Sequence, residues 1–544
     1  MLTLFTILLI WTYHSSIGSS QLLNCLQCFG EKCGIAGGKI KNSPRCQGEL
    51  CLKIKHFFEA DLDGDKDYAT ESQYGCISKK MVRHFRRHEK LFHQGHNFCD
   101  ANASIFEERE PANLFVGSVC LNQTNPCAVV VYIAGGGFNF GSPPSTFPTA
   151  FPIDYYATKD IIFLTVEFRL GVFGFWTTGT EDAIGNYAVF DVIECLRWVQ
   201  KEISHFGGDP RRVTIMGDSS GATLASLLTL SSSVDGLFHR VIAASGQVWQ
   251  SIPAATTKPS KQLAIEVGCA TEQEWENSEF SKIVSCMKSV KMDDLRRAQT
   301  LIEKMPVFAG PVNDKRLWPE SIEKLKTKRK PVDCMLGVTE HEAAPAKAFI
   351  PDKPITRFLL KPQCRLASIA LLGAAGANQV AAECSKLYRS QFGMDAVNAI
   401  GNLTSDYIFN VFSWAEAASI RDAGGNAFFY SFDFTKPGLE GIFPSHAQDL
   451  SYFIGTHEVQ PIDERDLEMR DIFTGFVANF AKTGLPHKHW KPVEAPTGFN
   501  YFSINLHSQN KPFFRYPFMK FWTVTAPNLV RGFSSVCYEN YCYN

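Results

Sequence analysis

A serine bracketed by two glycines has a setting that favours covalent chemistry. Gly217, Ser219 and Gly221 lie in "RVTIMGDSSGATLASLL", residues 212–228, and fit the G-x-S-x-G pattern of a sharp strand-to-helix turn. The glycines permit close backbone approach, and the turn leaves the serine hydroxyl exposed at its tip. An ordinary turn before a helix can contain the same residue types. The motif therefore indicates a nucleophile only where the chain also supplies a base and oxyanion donors.

Three consecutive glycines offer such donors. Gly135, Gly136 and Gly137 directly follow the apolar run "AVVVYIA" at 128–134. Successive glycines at the end of a buried strand let backbone N–H groups approach a reacting carbonyl. The N–H of Ser220, at the positive end of the helix after the turn, is the third expected donor. The alternative for the three glycines is a flexible hinge.

The elements that must position these groups are buried parallel strands covered by helices. Apolar, β-rich runs recur along the chain, at 128–134, 161–168, 213–216, 240–244, 333–338 and 427–432. Runs that are apolar on both faces suit parallel strands. Helical spacing follows in "VFDVIECLRWVQKEI" and in "ATLASLLTL". This alternation predicts an α/β fold with a doubly wound sheet.

The size and charge of the chain narrow the range of its partners. With 544 residues, of which 45% are hydrophobic, the chain can bury a large core and form more than one domain. Lys and Arg number 54 against 55 Asp and Glu, which leaves a formal net charge of −1. This balance gives no electrostatic reason to expect nucleic acid or an anionic membrane as a partner. After the opening segment, no apolar run approaches the roughly 18 residues of a transmembrane helix.

The opening segment and the cysteine usage predict a secreted, extracellular protein. "MLTLFTILLIWTYHSSIGSS" is typical of a secretory signal peptide, which we expect over residues 1–20. Seventeen cysteines suit an oxidising compartment, where disulfides persist. Acceptor patterns for N-linked glycosylation agree with secretion, at Asn102, Asn122 and Asn402.

Residues 21–105 follow a different pattern from the rest of the chain. Their cysteines lie in short segments, at positions 25, 28, 33, 46, 51, 76 and 99. This spacing resembles small extracellular three-finger (snake-toxin-like) domains and the related ET-type module, which implies a disulfide-rich β domain able to bind an extracellular protein partner. The odd cysteine count leaves one cysteine to pair elsewhere, with Cys120 or Cys127. A linker over 106–125 would then lead to the larger domain, residues 126–535.

Three features of this module could bind ions or polyanions, but each has a simpler interpretation. The acidic segment "EADLDGDKDYATE" places Thr70 where a calcium loop needs a bidentate glutamate, which favours an acidic surface loop. Histidines at 84, 88, 93 and 96 could bind zinc together with Cys99, but an extracellular cysteine favours a disulfide. The basic run "KKMVRHFRRHEK" at 79–90 could hold an anionic glycan, whereas a solvated loop is the simpler interpretation. No metal site is predicted.

Three long segments follow the motifs of one known family in order. They are "VEFRLGVFGFW", "IGNYAVFDVIECLRWVQKEISHFGGDPRRVTIMGDSSGA" and "FVANFAKTGLP". Through them the chain resembles the type-B carboxylesterase/cholinesterase family of α/β hydrolases over about residues 116–525. The resemblance implies an α/β-hydrolase fold with a doubly wound mixed sheet, and it also implies a short disulfide loop between Cys269 and Cys286.

The resemblance also implies a catalytic triad. The acid segment of the family corresponds to "LGVTEHEAAP", which indicates Glu342 rather than Glu340. The histidine segment corresponds to "SHAQDLSYFIG", which indicates His446. Together with Ser219, these residues follow the order Ser, acid, His that α/β hydrolases use.

Four positions near the expected site depart from the family pattern. Asp218 stands where the family has Glu, Ser220 where it has Ala, Ala134 where it has His or Tyr, and Glu167-Phe168 where it has Asn-Tyr. The first hundred or so residues of the family have no counterpart in this chain. Their absence predicts a sheet that is truncated at its N-terminal edge. The tryptophan that holds choline belongs to that part, so choline specificity is not implied. Either the cysteine-rich module replaces this part, or the chain is a fusion whose true exons differ.

These observations predict a secreted serine hydrolase that cleaves small-molecule carboxylic esters through an acyl-enzyme intermediate. His446 would deprotonate Ser219 for attack on the ester, and Glu342 would keep the imidazole in the correct tautomer. Backbone N–H groups of Gly136, Gly137 and the third donor would hold the oxyanion, and no metal or organic cofactor is expected. The alternative is an extracellular binding or adhesion protein on the same fold, similar to the neuroligins.

Overall fold

The computed structural model describes most of the chain after residue 125 and shorter segments before it. The described residues are 49–62, 65–78, 114–116, 126–141, 150–247, 253–302, 310–343, 356–374, 376–392, 395–436, 444–457, 461–494 and 500–530. Strands β1 (Glu49–Leu62) and β2 (Asp65–Ser78) pair antiparallel in a two-stranded sheet of their own. The strands that follow belong to one larger sheet.

Within the described residues, nine strands form this central sheet. They are β3 (Leu114–Val116), β4 (Cys127–Ile133), β5 (Ile161–Val166), β6 (Gly208–Asp218), β7 (Arg240–Ala244), β8 (Asp333–Thr339), β9 (Ala427–Phe432), β10 (Tyr501–Ile504) and β11 (Gln509–Lys511). Their order is β11-β10-β9-β8-β7-β6-β4-β5-β3. Neighbours from β10 to β5 run parallel, whereas the edge pairs, β3 with β5 and β10 with β11, are antiparallel. This mostly parallel mixed sheet confirms the predicted fold class.

Side chains of β4 alternate between two apolar cores, one on each face of the sheet. Val129, Val131 and Ile133 pack in one buried cluster. Val130 and Tyr132 pack in the other. A strand that is buried on both faces reads as a continuous apolar run, because successive side chains point to opposite faces. The sheet is therefore the middle layer of three.

Helices lie over both faces of the sheet. They are α1 (Ala150–Tyr155), α2 (Gly171–Phe175), α3 (Tyr187–Glu202), α4 (Ser219–Leu228), α5 (Pro253–Glu266), α6 (Glu272–Glu276), α7 (Phe280–Ser289), α8 (Met292–Ile302), α9 (Ile322–Thr327), α10 (Thr356–Leu372), α11 (Ala377–Phe392), α12 (Ala396–Ser405), α13 (Val411–Asp422), α14 (Leu450–Phe453), α15 (Glu464–Thr483), α16 (Tyr516–Lys520) and α17 (Ala526–Leu529). A π-helical turn, Asp406–Asn410, joins α12 to α13. The apolar faces of α3, α4 and α13 pack in the first core, and those of α14 and α15 in the second.

Local signals explain where the long helix α15 begins and ends. Asp463 and Asp466 form a capping box, in which each side chain accepts a hydrogen bond from the backbone N–H of the other. The helix ends at Gly484, whose φ of 80° is a left-handed conformation that glycine adopts without steric cost. These signals fix the boundaries, while burial of Phe473 and Val477 fixes which face meets the sheet.

Two disulfides have both of their cysteines among the described residues. Cys269 and Cys286 are joined between the end of α5 and α7, and Cys364 and Cys384 are joined between α10 and α11. The second pair was not predicted. Cys127, one of the two cysteines considered as a partner for the N-terminal module, is disulfide-bonded.

Several predictions for the N-terminal part fall on residues outside the described ones. These are the signal peptide over 1–20, the glycosylation sites Asn102 and Asn122, and the basic run at 79–90. Within the predicted linker at 106–125, β3 pairs with β5, so this part of the segment belongs to the sheet. The acidic segment expected as a surface loop contributes to β1 and β2 instead.

Among the described helices, none has both the length and the apolar character needed to cross a membrane.

Candidate active site

Ser219 lies at the turn between β6 and α4, and its backbone is left-handed, with φ of 50°. This conformation is unfavourable for a residue that carries a Cβ and is characteristic of functional turns. The flanking glycines make the turn possible. A Cβ on Gly217 would overlap the backbone of Gly221, and a Cβ on Gly221 would overlap the carbonyl oxygen of Ile133 in β4. The turn thus holds the serine at the carboxyl ends of the central strands.

Three side chains from distant parts of the sequence form one hydrogen-bonded chain. Oγ of Ser219 lies 3.0 Å from Nε2 of His446, and Nδ1 of His446 lies 2.7 Å from Oε2 of Glu342. Glu342 follows β8, and His446 lies in the loop that follows β9. All three residues therefore come from the carboxyl ends of parallel strands. In this geometry the imidazole can accept the hydroxyl proton while the carboxylate holds its other nitrogen.

Glu342 is fully buried and both of its carboxylate oxygens are engaged. Oε1 accepts hydrogen bonds from Oγ of Ser245 at 2.5 Å and from the backbone N–H of Thr339 at 2.7 Å. The backbone N–H of His446 also donates to the carbonyl oxygen of Glu342, at 3.0 Å. A buried charge is stable only when it is paired and hydrogen-bonded. These contacts meet that requirement and fix the direction in which the carboxylate faces.

Glu340, the other acidic residue of the same segment, has different neighbours. Its carboxylate lies 3.8 Å from Nε2 of His341. Burial, with a contribution from the charge of Asp433, raises the pKa of Glu340 to about 7. The acid in contact with His446 is therefore Glu342, the residue of this pair that the family resemblance indicated.

Burial and charge act in opposite directions on His446. Burial lowers the pKa of its imidazole, but the hydrogen bond and charge of Glu342 raise it, and the net pKa lies above the usual value. Asp449, three residues further on, is also buried. Burial and the charge of Glu342 raise the pKa of Asp449 to about 8, so at neutral pH this carboxyl is mostly protonated. Of these two buried carboxyls, the one in hydrogen-bond contact with the imidazole is that of Glu342.

The glycine loop after β4 carries backbone donors beside the serine. Gly136 and Gly137 have φ values of 124° and 60°, which glycine adopts readily. Among the described residues, no acceptor takes the N–H of either glycine. The N–H of Ser220 lies in the first turn of α4, where N–H groups have no partner within the helix. The backbone donors expected from the sequence thus lie on this loop and at the start of α4.

Two side chains of the turn hold this glycine loop in place. Oδ1 of Asp218 accepts hydrogen bonds from the N–H of Gly135 at 2.9 Å and from the hydroxyl of Tyr132 at 2.6 Å. Oγ of Ser220 accepts from the N–H of Phe138 at 3.2 Å. Asp218 and Ser220 are two of the positions that depart from the family pattern, and both contact the loop that carries the backbone donors.

The family model described as "Carboxylesterase family" matches residues 104–522, which include the central sheet and the whole of this site. The chain belongs to the carboxylesterase family. The match begins close to the end of the predicted cysteine-rich module, so membership of the carboxylesterase family applies to the part of the chain that forms the sheet.

Relatives in the carboxylesterase family include proteins named as enzymes and proteins that are not. The chain is 28% identical to Carboxylesterase 5A of Felis catus over 407 residues, which is 70% of this chain and 70% of that protein. It is 29% identical to Bile salt-activated lipase of Rattus norvegicus over 456 residues, which is 76% of this chain and 72% of the lipase. It is also 28% identical to Neuroligin-3 of Mus musculus over 480 residues, which is 84% of this chain and 55% of the neuroligin. The chain thus matches about half the length of that neuroligin.

Some contacts of the site in this carboxylesterase-family chain were not predicted from the sequence. Ser245 binds Glu342, and a Cβ on Gly246 would overlap the carbonyl oxygen of Ser219. The ring of Phe409 packs against His446 with 4.7 Å between ring centroids. The sequence does carry a signal for Ser245 and Gly246, because this Ser-Gly pair directly follows the apolar run at 240–244. Phe409 has no such signal, because it lies in a helical segment without a motif.

One predicted modification site conflicts with the structure. Asn402 is only 3% exposed and lies on α12. Its Nδ2 donates to the carbonyl oxygen of Asn398 at 3.0 Å, and its Oδ1 accepts from Nη2 of Arg515 at 3.1 Å. A glycan on this nitrogen would have no space in the fold. The predicted glycosylation of Asn402 is therefore wrong.

Proposed function

We propose that this protein is a serine hydrolase that cleaves carboxylic esters, with Ser219 as nucleophile, His446 as general base and Glu342 as the orienting acid. The observation that carries the proposal is the continuous chain of contacts among them, 3.0 Å from hydroxyl to imidazole and 2.7 Å from imidazole to carboxylate. Membership of the carboxylesterase family, and similarity to Carboxylesterase 5A and Bile salt-activated lipase, support the same reaction.

In the acylation step, His446 takes the proton of Ser219 as the hydroxyl oxygen attacks the ester carbonyl. The carbonyl oxygen gains negative charge, which the N–H groups of Gly136, Gly137 and Ser220 stabilise. Each such donor is worth about 2.7–4 kcal/mol of transition-state stabilisation. His446 then gives its proton to the leaving alcohol as the carbon–oxygen bond breaks, which leaves the acyl group on the serine.

In the deacylation step, His446 takes a proton from water as the water attacks the acyl-enzyme. The same backbone donors stabilise the second oxyanion. When this intermediate collapses, the carboxylic acid leaves and Ser219 regains its proton from the imidazolium. Glu342 stabilises the imidazolium in both steps because its buried carboxylate stays in contact with Nδ1. The chain's own groups therefore handle every proton in the cycle.

The proposal includes the organisation of the chain expected from the sequence. A signal peptide over 1–20 directs secretion, a cysteine-rich module covers 21–105, and a linker over 106–125 leads to the esterase domain over 126–535. The similarity to named carboxylesterases over the sheet supports the last of these. N-terminal sequencing of protein collected from the medium of secreting cells checks the first, since loss of residues 1–20 is the expected result and intact Met1 contradicts it.

The test of the function uses that full-length secreted protein with a small aryl acetate and an organophosphonate label. We expect wild type to turn over the ester and to be labelled at Ser219. Ser219→Ala abolishes the labelling and lowers kcat by about 10⁴-fold or more. Ser390→Ala, which changes an exposed serine on α11, is the matched control and retains both activities. Equal turnover by wild type and Ser219→Ala would overturn the proposal.

A binding protein on the same fold is the second candidate function. The observation that favours it is the similarity to Neuroligin-3 over 84% of this chain. In this case the cysteine-rich module, or the esterase fold itself, would bind an extracellular protein partner. Folded wild-type protein that neither hydrolyses the aryl acetate nor reacts with the organophosphonate would favour this candidate over the hydrolase.

A further inference from the structure

The π-helical turn Asp406–Asn410 lies close to His446 and carries an aromatic ring to it. The centroid of the Phe409 ring lies 4.7 Å from the centroid of the imidazole, and the two planes are tilted by 35°. A π-helical turn displaces a side chain from its regular helical position, and such turns are frequent at functional sites. The turn is therefore the local feature that brings Phe409 to the face of the imidazole.

A buried ion pair anchors the beginning of this turn. Asp406 is fully buried, and Arg515 donates to both of its oxygens, from Nε to Oδ1 at 2.6 Å and from Nη2 to Oδ2 at 2.9 Å. Tyr388 donates its hydroxyl to Oδ2 at 2.6 Å, and Nδ2 of Asn410 donates to Oδ1 at 2.7 Å. Bidentate pairs with added hydrogen bonds hold a defined geometry. Because Asn410 is the last residue of the turn, Asp406 holds both of its ends.

A second set of contacts ties the turn to the acid of the triad. Oγ of Ser413 lies 2.8 Å from the carbonyl oxygen of Phe409 and 2.7 Å from Oε1 of Gln247. Gln247 is buried and lies two residues after Ser245, whose hydroxyl binds Glu342 at 2.5 Å. The short segment after β7 thus contacts the carboxylate that faces the imidazole directly, and it reaches the turn that carries the aromatic ring through Ser413.

From these contacts we propose that Phe409 is a positioning residue of the active site, whose ring holds the His446 imidazole in its working orientation. The buried pair of Asp406 and Arg515 fixes the turn that presents this ring. The inference rests on the proposed function, because the orientation of the imidazole matters only if His446 transfers protons. Phe409 acts through the histidine and needs no contact with the reacting atoms.

The physical reason is that the imidazole must meet two partners at once. Nε2 has to reach Ser219 while Nδ1 stays on Glu342. The torsion that rotates an imidazole ring has broad minima, so the histidine side chain alone does not fix this orientation. A flat ring packed against one face restricts the rotation and excludes water from that face. Small misplacements of reacting groups are costly, since about 1 Å can reduce a rate 100-fold.

Three substitutions at Phe409 separate the effect of a flat ring from that of apolar volume. Phe409→Tyr keeps the ring, Phe409→Leu keeps much of the volume, and Phe409→Ala removes both. For aryl acetate hydrolysis we expect the tyrosine variant to match wild type, the leucine variant to lose several-fold in kcat, and the alanine variant to lose about 10–100-fold. The acid limb of the pH profile of kcat/KM should move to higher pH in Phe409→Ala, because burial lowers the pKa of His446 and this variant reduces the burial.

Phe206→Ala is the matched control for a loss of folding stability. It removes a buried ring that lies 5.7 Å from that of Trp198, beside the amino end of β6 and so away from the serine. We expect this variant to lower the melting temperature but to retain kcat and the acid limb. If Phe409 had only a structural role, Phe409→Ala would likewise lower the melting temperature and retain kcat and the acid limb. If Phe409→Ala does not fold, the comparison of Phe409→Leu with Phe409→Tyr tests the inference instead. The inference requires kcat to be lower in Phe409→Leu than in Phe409→Tyr.

The outcomes separate this inference from the proposed function. If wild type hydrolyses the ester and Phe409→Leu and Phe409→Ala keep its kcat and pH profile, the positioning role is wrong and the hydrolase stands. If wild type itself neither hydrolyses the ester nor takes the organophosphonate label, the proposed function fails, and the inference fails with it.

Discussion

Asp218 and Ser220 show how single side chains set the position of backbone donors. They flank Ser219 in the sequence, and each accepts a hydrogen bond from the glycine loop, from the N–H of Gly135 and of Phe138 respectively. Oxyanion donors are effective only when they are held about 2.7–3.1 Å from the developing charge. The shorter carboxylate of Asp218 still reaches its partner at 2.9 Å, so aspartate in place of glutamate retains this support.

Glu342→Gln is predicted to slow turnover and to move its pH dependence. In the wild type, burial lowers the pKa of His446, but Glu342 raises it above the usual value. A neutral amide removes the raising effect, so the imidazole stays unprotonated to a lower pH and the acid limb of kcat/KM shifts down in pH. We expect kcat to fall about 10³–10⁴-fold, because the amide does not stabilise the imidazolium. Rate measurements with an aryl acetate across the pH range give both quantities.

Glu340→Gln is the matched control for this prediction. Glu340 belongs to the same segment, but its carboxylate contacts His341 and not the triad histidine. We expect Glu340→Gln to retain wild-type kcat and the wild-type acid limb. A larger loss of kcat in Glu340→Gln than in Glu342→Gln would contradict the assignment of the acid.

Motifs in the sequence were sufficient to predict the three residues that lie in one hydrogen-bonded chain. Ser219 stands in a long segment that resembles the family, and Glu342 and His446 stand in two shorter ones. Contacts between residues that belong to no motif could not be predicted from the sequence. Ser245 meets Glu342 across 97 positions of sequence, and only the folded sheet brings them together. The error at Asn402 has the same origin, since an acceptor pattern records three neighbouring residues and not the burial of the amide.

Among the elements, the unit formed by β6, the turn and α4 depends on direct contact of backbone with backbone. On one side, Gly221 lies against the carbonyl oxygen of Ile133 in β4. On the other side, Gly246, directly after β7, lies against the carbonyl oxygen of Ser219. Neither position has space for a Cβ. The conformation of the serine is therefore enforced by the strands on both sides of β6 as well as by its own turn.

Gly246→Ala is predicted to destabilise the protein and to reduce turnover together. The added methyl group has to displace the backbone of Ser219, and overpacking of this kind costs about 1–3 kcal/mol. Gly475→Ala in α15 is the control, because no atom outside its own helix lies within 4 Å of the added Cβ, and alanine there should stabilise by about 0.5–1 kcal/mol. Chemical denaturation and aryl acetate hydrolysis measure the two effects. A Gly246→Ala variant with wild-type stability would contradict this account of the turn.

The strands that the sequence predicted and those that it missed differ in length and burial. Each central strand from β4 to β9 contains an apolar run buried on both faces, and periodicity detects such runs. In β6 this run begins at Val213, so the sequence missed the mostly polar residues 208–212 at the start of the strand. The edge strands β3 and β11, and β10 beside β11, have three or four residues each, too few for a periodic pattern. Their pairing is decided by the neighbouring strand, which supplies hydrogen bonds to a segment with little preference of its own.

At the scale of the whole molecule, a buried ionic network connects helices that are far apart in sequence. Oε1 of Glu416 on α13 accepts from Nη2 of Arg329 at 2.5 Å and from Oγ of Ser226 on α4 at 3.1 Å. Nζ of Lys326 on α9 lies 3.2 Å from its other oxygen. All three charged side chains are at most 4% exposed. The network therefore joins α4, the helix that begins at Ser219, to two helices contributed by later parts of the chain.

Glu416→Gln is predicted to lower the free energy of unfolding and to remove part of its dependence on acid. Burial raises the pKa of Glu416, but Arg329 and Lys326 lower it, and the net pKa is below the usual value. A carboxyl with a depressed pKa stabilises the fold fully above its unfolded value of about 4.3, and this contribution is lost as pH falls through the folded value. The amide leaves Arg329 buried without its carboxylate, which costs about 3–5 kcal/mol at neutral pH.

Chemical denaturation at neutral pH and at a pH well below the unfolded value of about 4.3 measures the effect, and the difference between wild type and Glu416→Gln should shrink at the lower pH. Glu383→Gln, which removes an exposed ion pair with Lys386, is the control and should leave stability unchanged at both pH values, because water screens exposed pairs. A gap between wild type and Glu416→Gln that stays constant on acidification would mean that shape or packing, and not charge, explains the loss. In that case, electrostatic attraction within the network would not explain how α4 is held to the later helices.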